Sequence, residues 1–396
     1  MPINSDKKRI EEIFNRGVVS EVLPSKEELF KVLDSGKKLR IYLGADPTSN
    51  SLHLNHAKNY MFLEELRQLG HEVIVLVGDF TAQIGDPTGK ESTRKQLTKK
   101  EAQNNAVSWK KNLKNIINFQ DKTNPAKIKY NSKWLEKLSF KDVVSLASNF
   151  TVQQMLERDM FEKRIESNTP IHLHEFLYPL MQGYDSVAMD VDIELCGTDQ
   201  TFNAMAGRVL QKRINNKEKF VIVLKLGENP KTGKLMSKSE GTGVFLSSSP
   251  EDMFGAIMSQ PDEMTEVFFV NNTRIPLEQK ENIFSLGPKE AKEKIALEVV
   301  KNIHGEKQAQ KAQFNFSSVF GGGGIPQDAP TYKMKEGETV IESLFNAGIG
   351  TKSEIKRLIT LWSVKNLNTE EVVKNWTDIT KEGTYKIGKH RFLKII

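Results

Sequence analysis

Over roughly the first 246 residues, short apolar runs alternate with longer stretches in which apolar positions recur at helical spacing. Short runs bounded by Gly, Asp and Pro predict parallel strands covered on both faces, and the longer stretches predict the helices between them. The clearest unit is R-I-Y-L-G-A-D-P-T-S-N-S-L-H-L-N-H, from Arg40 to His56. Ile41, Tyr42 and Leu43 form a strand that Gly44, Asp46 and Pro47 stop. From Leu52 the spacing turns helical, with Leu54, Ala57, Met61, Phe62 and Leu66 on one face and Ser51 as the expected N-cap. Further strands are expected at His71 to Val77, Asp192 to Gly197 and Phe220 to Leu226, and further helices at 94–114, across Tyr178 to Asp185, and at 201–210. In the helix 94–114 the expected buried positions are Ala106, Val107, Trp109, Leu113 and Ile116. The segment up to Glu28 reads as a polar helix followed by a cap at Pro24 and Ser25. Residues 119–169 read as a helical insertion between the two halves of the sheet.

Beyond Leu246 the pattern becomes helical: S-S-P-E-D starts a helix at Ser249 or Pro250, and Pro288 to His304 is strongly amphipathic. Four glycines, Gly321 to Gly324, followed by Pro326 and Pro330 mark a linker. The expected architecture is therefore α/β. It has a Rossmann-like doubly wound parallel sheet domain over 1–246 with a helical insertion near 119–170, and a helical domain over 247–320. A Gly/Pro linker over 321–335 leads to a small α+β domain over 336–396.

Composition narrows the class without choosing a function. The 396 residues leave ample core for two or three domains. No apolar run approaches the roughly 20 residues of a membrane helix, and M-P-I-N-S-D-K-K-R-I has no signal-peptide core. One cysteine, Cys196, rules out an internal disulfide and a cysteine-rich zinc site, so a reducing, cytoplasmic setting is expected and no metal-ligating cluster. The formal charge of +6 permits a polyanionic partner.

Candidate chemistry gathers at the strand ends, where doubly wound sheets bind ligands and helix N-termini attract phosphate. His53 and His56, three apart in the first turn after Asp46, face that position; alone, such a pair is more often an ordinary helix surface or half of a metal site. The loop G-D-F-T-A-Q-I-G-D-P-T-G-K-E-S-T-R ends in Lys90 and Arg94, and N-P-K-T-G-K-L-M-S-K-S carries Lys234 and Lys238. The first suits an amino group and mobile phosphates, and on composition alone is as consistent with a solvated surface turn; the second has the character of a flexible phosphate clamp. Tyr178, Gln182 and Asp185, spaced i, i+4, i+7, place three polar groups in one stripe of an otherwise apolar helix, which suits the wall of a small-molecule pocket. Asp199, in G-T-D-Q, sits where ribose hydroxyls or an amino group would be bound.

H-L-N-H at the first helix and L-M-S-K-S in the late loop, in that order, resemble the two signature motifs of class I aminoacyl-tRNA synthetases. Y-L-G-A-D-P-T-S-N-S-L-H, T-A-Q-I-G-D-P-T-G-K, the Tyr178, Gln182, Asp185 triplet and G-T-D-Q narrow the resemblance to the bacterial tyrosyl-tRNA synthetases, over nearly the whole chain. The resemblance implies that Tyr42 and Asp185 bracket the phenol of tyrosine. It places Thr81, Asp86, Tyr178 and Gln182 around the ammonium and Gln200 near the carboxylate. For ATP it implies Gly44, Asp46, His53, His56, Gly197, Asp199 and Lys238, with Thr48, His53, His56, Lys90, Arg94, Lys234 and Lys238 acting on the phosphates during adenylate formation. ATP is then a substrate, accompanied by Mg²⁺, and the partners are L-tyrosine, tRNA and a second copy of the chain, with no membrane. The last domain resembles a small RNA-binding module of ribosomal-protein type, which points to Lys352, Lys356, Arg357, Lys386, Lys389 and Arg391 as RNA contacts. Asn55 and Leu235 stand where the signature motifs commonly carry Gly and Lys, and Cys196 where the family often has Gly. Two alternatives stay open on the sequence: a tryptophanyl-type synthetase, and a synthetase-like RNA-binding protein without aminoacylation.

Overall fold

The computed structural model describes residues 2–86, 97–156, 159–233, 243–320, 329–388 and 391–396. They form two compact units, one of residues up to Ser247 with Gln260–Ala291, the other of Ser248–Ser259 with Lys292–Ile396. The helices after Leu246 are thus divided between the units.

The first unit is built on a six-stranded sheet of β1 (Val19–Leu23), β2 (Arg40–Ala45), β3 (Glu72–Val77), β4 (Lys127–Tyr130), β5 (Ile193–Gly197) and β6 (Phe220–Leu224), in the order β1-β6-β5-β2-β3-β4. β6, β5, β2, β3 and β4 are parallel; β1 runs antiparallel on the β6 edge. From β2 the chain moves outward to β3 and β4, then returns to β5 on the other side of β2. That reversal opens a crevice at the carboxyl ends of β2 and β5. The four inner strands are the four read from the sequence, because burial on both faces demands an apolar run: Ile41 and Tyr42, Val73 and Ile74, Ile193 and Val221 are all fully inaccessible.

Four expectations are corrected. The segment before Pro24 contains a strand, β1, as well as a helix, Lys7–Asn15. Part of the expected insertion is β4, which joins the sheet beside β3. Arg67 fixes its approach: the guanidinium grips Glu64 through two 2.7 Å hydrogen bonds and donates to Asp121 at 3.0 Å and to the Asn124 carbonyl at 2.8 Å, which pins the loop entering β4. The helix Leu54–Gln68 is capped at His53, not Ser51, whose hydroxyl pairs with Ser247 at 2.7 Å. In the helix Lys99–Leu113, capped by Thr98, Val107 is exposed while Ala102, Ala106, Trp109 and Leu113 are buried.

In the second unit, the helices Pro250–Met258 and Glu306–Phe320 bring Phe254 and Phe316 to a centroid separation of 5.3 Å. Its second element group is a four-stranded sheet of β7 (Thr331–Tyr332), β8 (Val364–Asn366), β9 (Gly383–Ile387) and β10 (Arg391–Ile395), in the order β7-β10-β9-β8. The helices Val340–Asn346 and Lys352–Thr360 close its core through Val340, Leu344, Ile355 and Ile359. Among the described residues no helix is long and apolar enough to cross a membrane.

One buried group makes the first unit acid-sensitive. His71, 1% exposed, accepts the Leu39 amide at Nδ1, and burial lowers its pKa from 6.5 to about 4. The folded state therefore binds fewer protons than the unfolded chain between those values, so this contribution is complete above pH 6.5 and is lost as pH falls towards 4. Burial pushes His53 to about 4 and His56 to about 3, in the same direction. Thermal unfolding between pH 7 and pH 5 is expected to show a falling Tm, with a shallower fall in His71→Gln; identical slopes would remove His71 from this role.

Candidate active site

The crevice holds a cavity of about 570 Å³ lined from β2, β5, the helix Leu54–Gln68 and the helix Leu173–Met189. Its inner end is acidic and deeply buried. Tyr42 has no exposed surface, and its hydroxyl lies 3.1 Å from Ser186 Oγ. Burial, reinforced by Glu194 and Asp185, holds the phenol well above its ordinary pKa, so it stays protonated. Asp185, 3% exposed, accepts from Trp134 Nε1 at 2.7 Å and from Asn131 Nδ2 at 3.3 Å. Burial raises its pKa well above the carboxylate norm, against those two hydrogen bonds.

The middle of the cavity is a ring of acceptors. Asp46 accepts from Thr81 Oγ1 at 2.6 Å and from the Tyr178 hydroxyl at 2.9 Å, and Asn131 donates to Thr81 at 3.0 Å. Asp86 accepts from Gln200 Nε2 at 2.7 Å, which also reaches Asp199 at 3.2 Å. Gln182 donates to Glu194 at 3.0 Å. Tyr178, Gln182 and Asp185 thus line one wall, as their spacing predicts. Asp46, expected with the nucleotide set, lines the cavity and is bonded to Thr81 and Tyr178.

The outer end is the start of the helix Leu54–Gln68. The rings of His53 and His56 lie 3.9 Å apart, and His56 Nδ1 accepts the His53 amide at 3.3 Å. With pKa values lowered to about 4 and about 3 by burial, both are neutral at pH 7 and offer N–H groups rather than charge. Gly44, Thr48, Gly197 and Asp199 line the same cavity, as does Lys58, whose ammonium donates to the Lys225 carbonyl. Burial, opposed by Asp199, lowers Lys58 to about 8. The Asn55 side chain turns into the protein, donating to the Gly227 carbonyl at 3.1 Å. Only a glycine fits opposite it, since a Cβ at Gly227 would fall 1.7 Å from Asn55 Oδ1. Lys90, Arg94, Lys234, Leu235 and Lys238 lie outside the described residues.

In the second unit Lys352, Lys356 and Arg357 are exposed on one helix, with Lys356 Nζ 5.3 Å from the Trp376 ring centroid. Arg391 is engaged internally, donating to the Ile349 carbonyl at 2.6 Å and to Glu354 at 2.9 Å. Lys386 lies in β9, and Lys389 is outside the described residues.

Sequence reasoning missed Asn131, Trp134, Ser186, Glu194 and Lys219. The first two stand just past a strand end, the same signal that marks Gly44 and Gly197, but their strand was read as insertion. Chemically the cavity joins a buried end that accepts hydrogen bonds to an open end of neutral N–H donors at a helix N-terminus, which suits a ligand with a hydroxyl or ammonium inside and phosphate outside.

Comparison with known proteins agrees. The family model of tRNA synthetases class I (W and Y) matches residues 34–321. A tyrosine–tRNA ligase of Carboxydothermus hydrogenoformans is 41% identical over all of this chain and 99% of its own length. One from Thermotoga maritima is 38% identical over 97% and 96%. Among solved structures, a C-terminally truncated mitochondrial tyrosyl-tRNA synthetase of Aspergillus nidulans superimposes with a TM-score of 0.68 at 23% identity, covering 79% of this chain and 94% of that one, a likeness of fold. The chain therefore belongs to the class I tRNA synthetases of the W and Y group, within the tyrosine–tRNA ligase family.

Proposed function

We propose that this chain activates L-tyrosine with ATP, forming tyrosyl-adenylate and pyrophosphate, and then transfers the tyrosyl group to the terminal ribose of a tRNA. The observation that carries the reading is the pairing of Tyr42 and Asp185 at the closed end of the cavity. A phenol placed there donates to the Asp185 carboxyl and accepts from Tyr42; a phenylalanine leaves both buried groups unmatched, and an indole does not offer an oxygen acceptor. Asp46, Thr81, Asp86, Tyr178 and Gln182 then surround the ammonium, and Gln200 stands near the carboxylate.

No nucleophile of the chain is required, because the substrate carboxylate attacks the α-phosphate and pyrophosphate leaves. The protein's work is orientation and stabilisation of charge that develops on the phosphates. His53 and His56 would donate N–H bonds to the phosphates with Thr48 beside them, and Asp199 and the Gly197 backbone would hold the ribose. Lys90, Arg94, Lys234 and Lys238, outside the described residues, are the proposed cations for the leaving pyrophosphate. Mg²⁺ is proposed to enter with the ATP phosphates as part of the substrate.

A homodimer fits the apolar side chains left on the surface of the first unit. Phe140, Val144, Val152 and Leu173 are 84%, 52%, 66% and 77% exposed. For RNA, the exposed row Lys352, Lys356 and Arg357 supplies the phosphate contacts of the second unit. Arg391, tied to Glu354, serves that helix instead.

Exchange of labelled pyrophosphate into ATP, run with each of the twenty amino acids, is expected to occur with tyrosine alone. Exchange driven by tryptophan, or none with folded protein and Mg²⁺, would overturn the assignment. Replacing Lys352, Lys356 and Arg357 by Ala is expected to weaken tRNA binding and to flatten its dependence on log salt by up to about 0.7–0.9 per lost phosphate contact, without changing exchange. An unchanged salt slope would remove this row from the RNA surface.

A further inference from the structure

Behind the closed end of the cavity lies a buried ion pair that the adenylation chemistry does not use. Lys219, immediately before β6, has no exposed side-chain surface, and Glu194 in β5 is 2% exposed. The lysine ammonium has three hydrogens and the structure gives each an acceptor: the Glu194 carboxylate, Ser186 Oγ at 2.8 Å and the Ala204 carbonyl at 3.0 Å. The fit depends on a glycine in the helix Thr201–Asn215, since a Cβ at Gly207 would stand 2.4 Å from Lys219 Nζ. Of the two residues bonded to this pair from the helix Leu173–Met189, Gln182 lines the substrate cavity, while Ser186 is fully buried behind Tyr42, which lines it. Gln182 and Ser186, one turn apart, bond to Glu194, Ser186 also touches the Tyr42 hydroxyl, and Tyr42 pairs with Glu194 across the sheet. The ammonium lies 6.0 Å from the Tyr42 ring centroid.

We propose that Lys219 is a positioning residue that sets the direction of the hydrogen bonds reading the substrate. The inference rests on the tyrosine pocket proposed above. Ser186 has one hydroxyl hydrogen and two candidate acceptors, Tyr42 at 3.1 Å and Glu194 at 3.4 Å. Lys219 already donates to the same Glu194 oxygen that Ser186 could reach, and to Ser186 itself, so the Ser186 hydrogen goes to Tyr42. With its oxygen accepting from Ser186, Tyr42 can give its own O–H either to Glu194, which also hydrogen-bonds this hydroxyl, or to the cavity; Lys219 occupies Glu194, so the Tyr42 O–H serves as donor to the substrate phenol, whose hydrogen goes to Asp185. Glu194, holding the Gln182 amide nitrogen, turns the Gln182 carbonyl oxygen towards the ammonium site. One buried ion pair thereby orders donors and acceptors at both ends of the amino acid. Without the ammonium, Ser186 donates to Glu194, Tyr42 donates to Ser186, and the cavity loses the donor that distinguishes tyrosine from phenylalanine.

Pyrophosphate exchange in Lys219→Met, assayed well below its Tm, tests this. The expected result is a KM for tyrosine raised about tenfold, the scale of one polar contact, with the KM for ATP unchanged and a lower ratio of kcat/KM for tyrosine over phenylalanine. The double variant Glu194→Gln with Lys219→Met is expected to regain most of the loss, because the glutamine amide can donate to Ser186 while its carbonyl accepts from Gln182. A Lys219→Met protein that loses only Tm, with wild-type KM and tyrosine/phenylalanine ratio, would overturn the proposal. Should Lys219→Met not fold, Ser186→Ala keeps the ion pair and removes the relay. Its tyrosine/phenylalanine ratio is expected to fall, and an unchanged ratio overturns the proposal equally. Wild-type protein without tyrosine-dependent exchange would instead refute the pocket itself, so the two failures are distinguishable.

Discussion

Burying carboxyl groups around the crevice of a parallel sheet is the constraint on which this structure depends. Asp185 and Glu194 are almost inaccessible, and a buried carboxylate is tolerated only when its oxygens are filled by donors or offset by a cation. Each acid receives its own solution. Asp185 takes the indole of Trp134 and the amide of Asn131, Glu194 takes Lys219 and Gln182, and Asp46 takes Thr81 and Tyr178. The donors come from the residue before β6, the segments after β3 and β4, and the helix Leu173–Met189, so the acids can be satisfied only when the doubly wound sheet is complete.

That arrangement also divides the cavity by charge. The inner end is rich in acceptors and closed, while the outer end, where the helix Leu54–Gln68 begins, presents histidines that burial keeps neutral. A zwitterionic amino acid with a terminal hydroxyl and a nucleotide triphosphate can occupy the two ends together only with the carboxylate of one facing the phosphates of the other. Orientation of this kind is the larger part of what an enzyme must supply when the substrate is its own nucleophile.

Much of this was legible in the sequence because the inner strands carry unbroken apolar runs and the functional residues follow directly at their ends. The stripe Tyr178, Gln182, Asp185 was legible because a helix turns spacing into geometry. The edge strands were not. V-S-E-V-L and K-I-K-Y bury little, so β1 and β4 lack the run that marks a covered strand, and missing β4 concealed Asn131 and Trp134. Asp46 was placed in the nucleotide set by resemblance, and its bond to Tyr178, 132 residues away, was not legible from the local turn. Lys219, within N-K-E-K, resembles a solvated surface lysine; its burial depends on Gly207, in the preceding helix, leaving room for the ammonium.

The central claim is that the closed end of the cavity reads a phenolic hydroxyl through Asp185. The most direct measurement is the ratio of kcat/KM for tyrosine over phenylalanine in pyrophosphate exchange, for the wild type and Asp185→Asn. Asparagine still accepts from Trp134 through Oδ1, but an NH₂ group replaces the second carboxyl oxygen and cannot accept the substrate O–H. The account expects the ratio to fall by about 10- to 100-fold, the scale of one buried polar group left without its partner, almost wholly through tyrosine. A ratio equal to that of the wild type would contradict it.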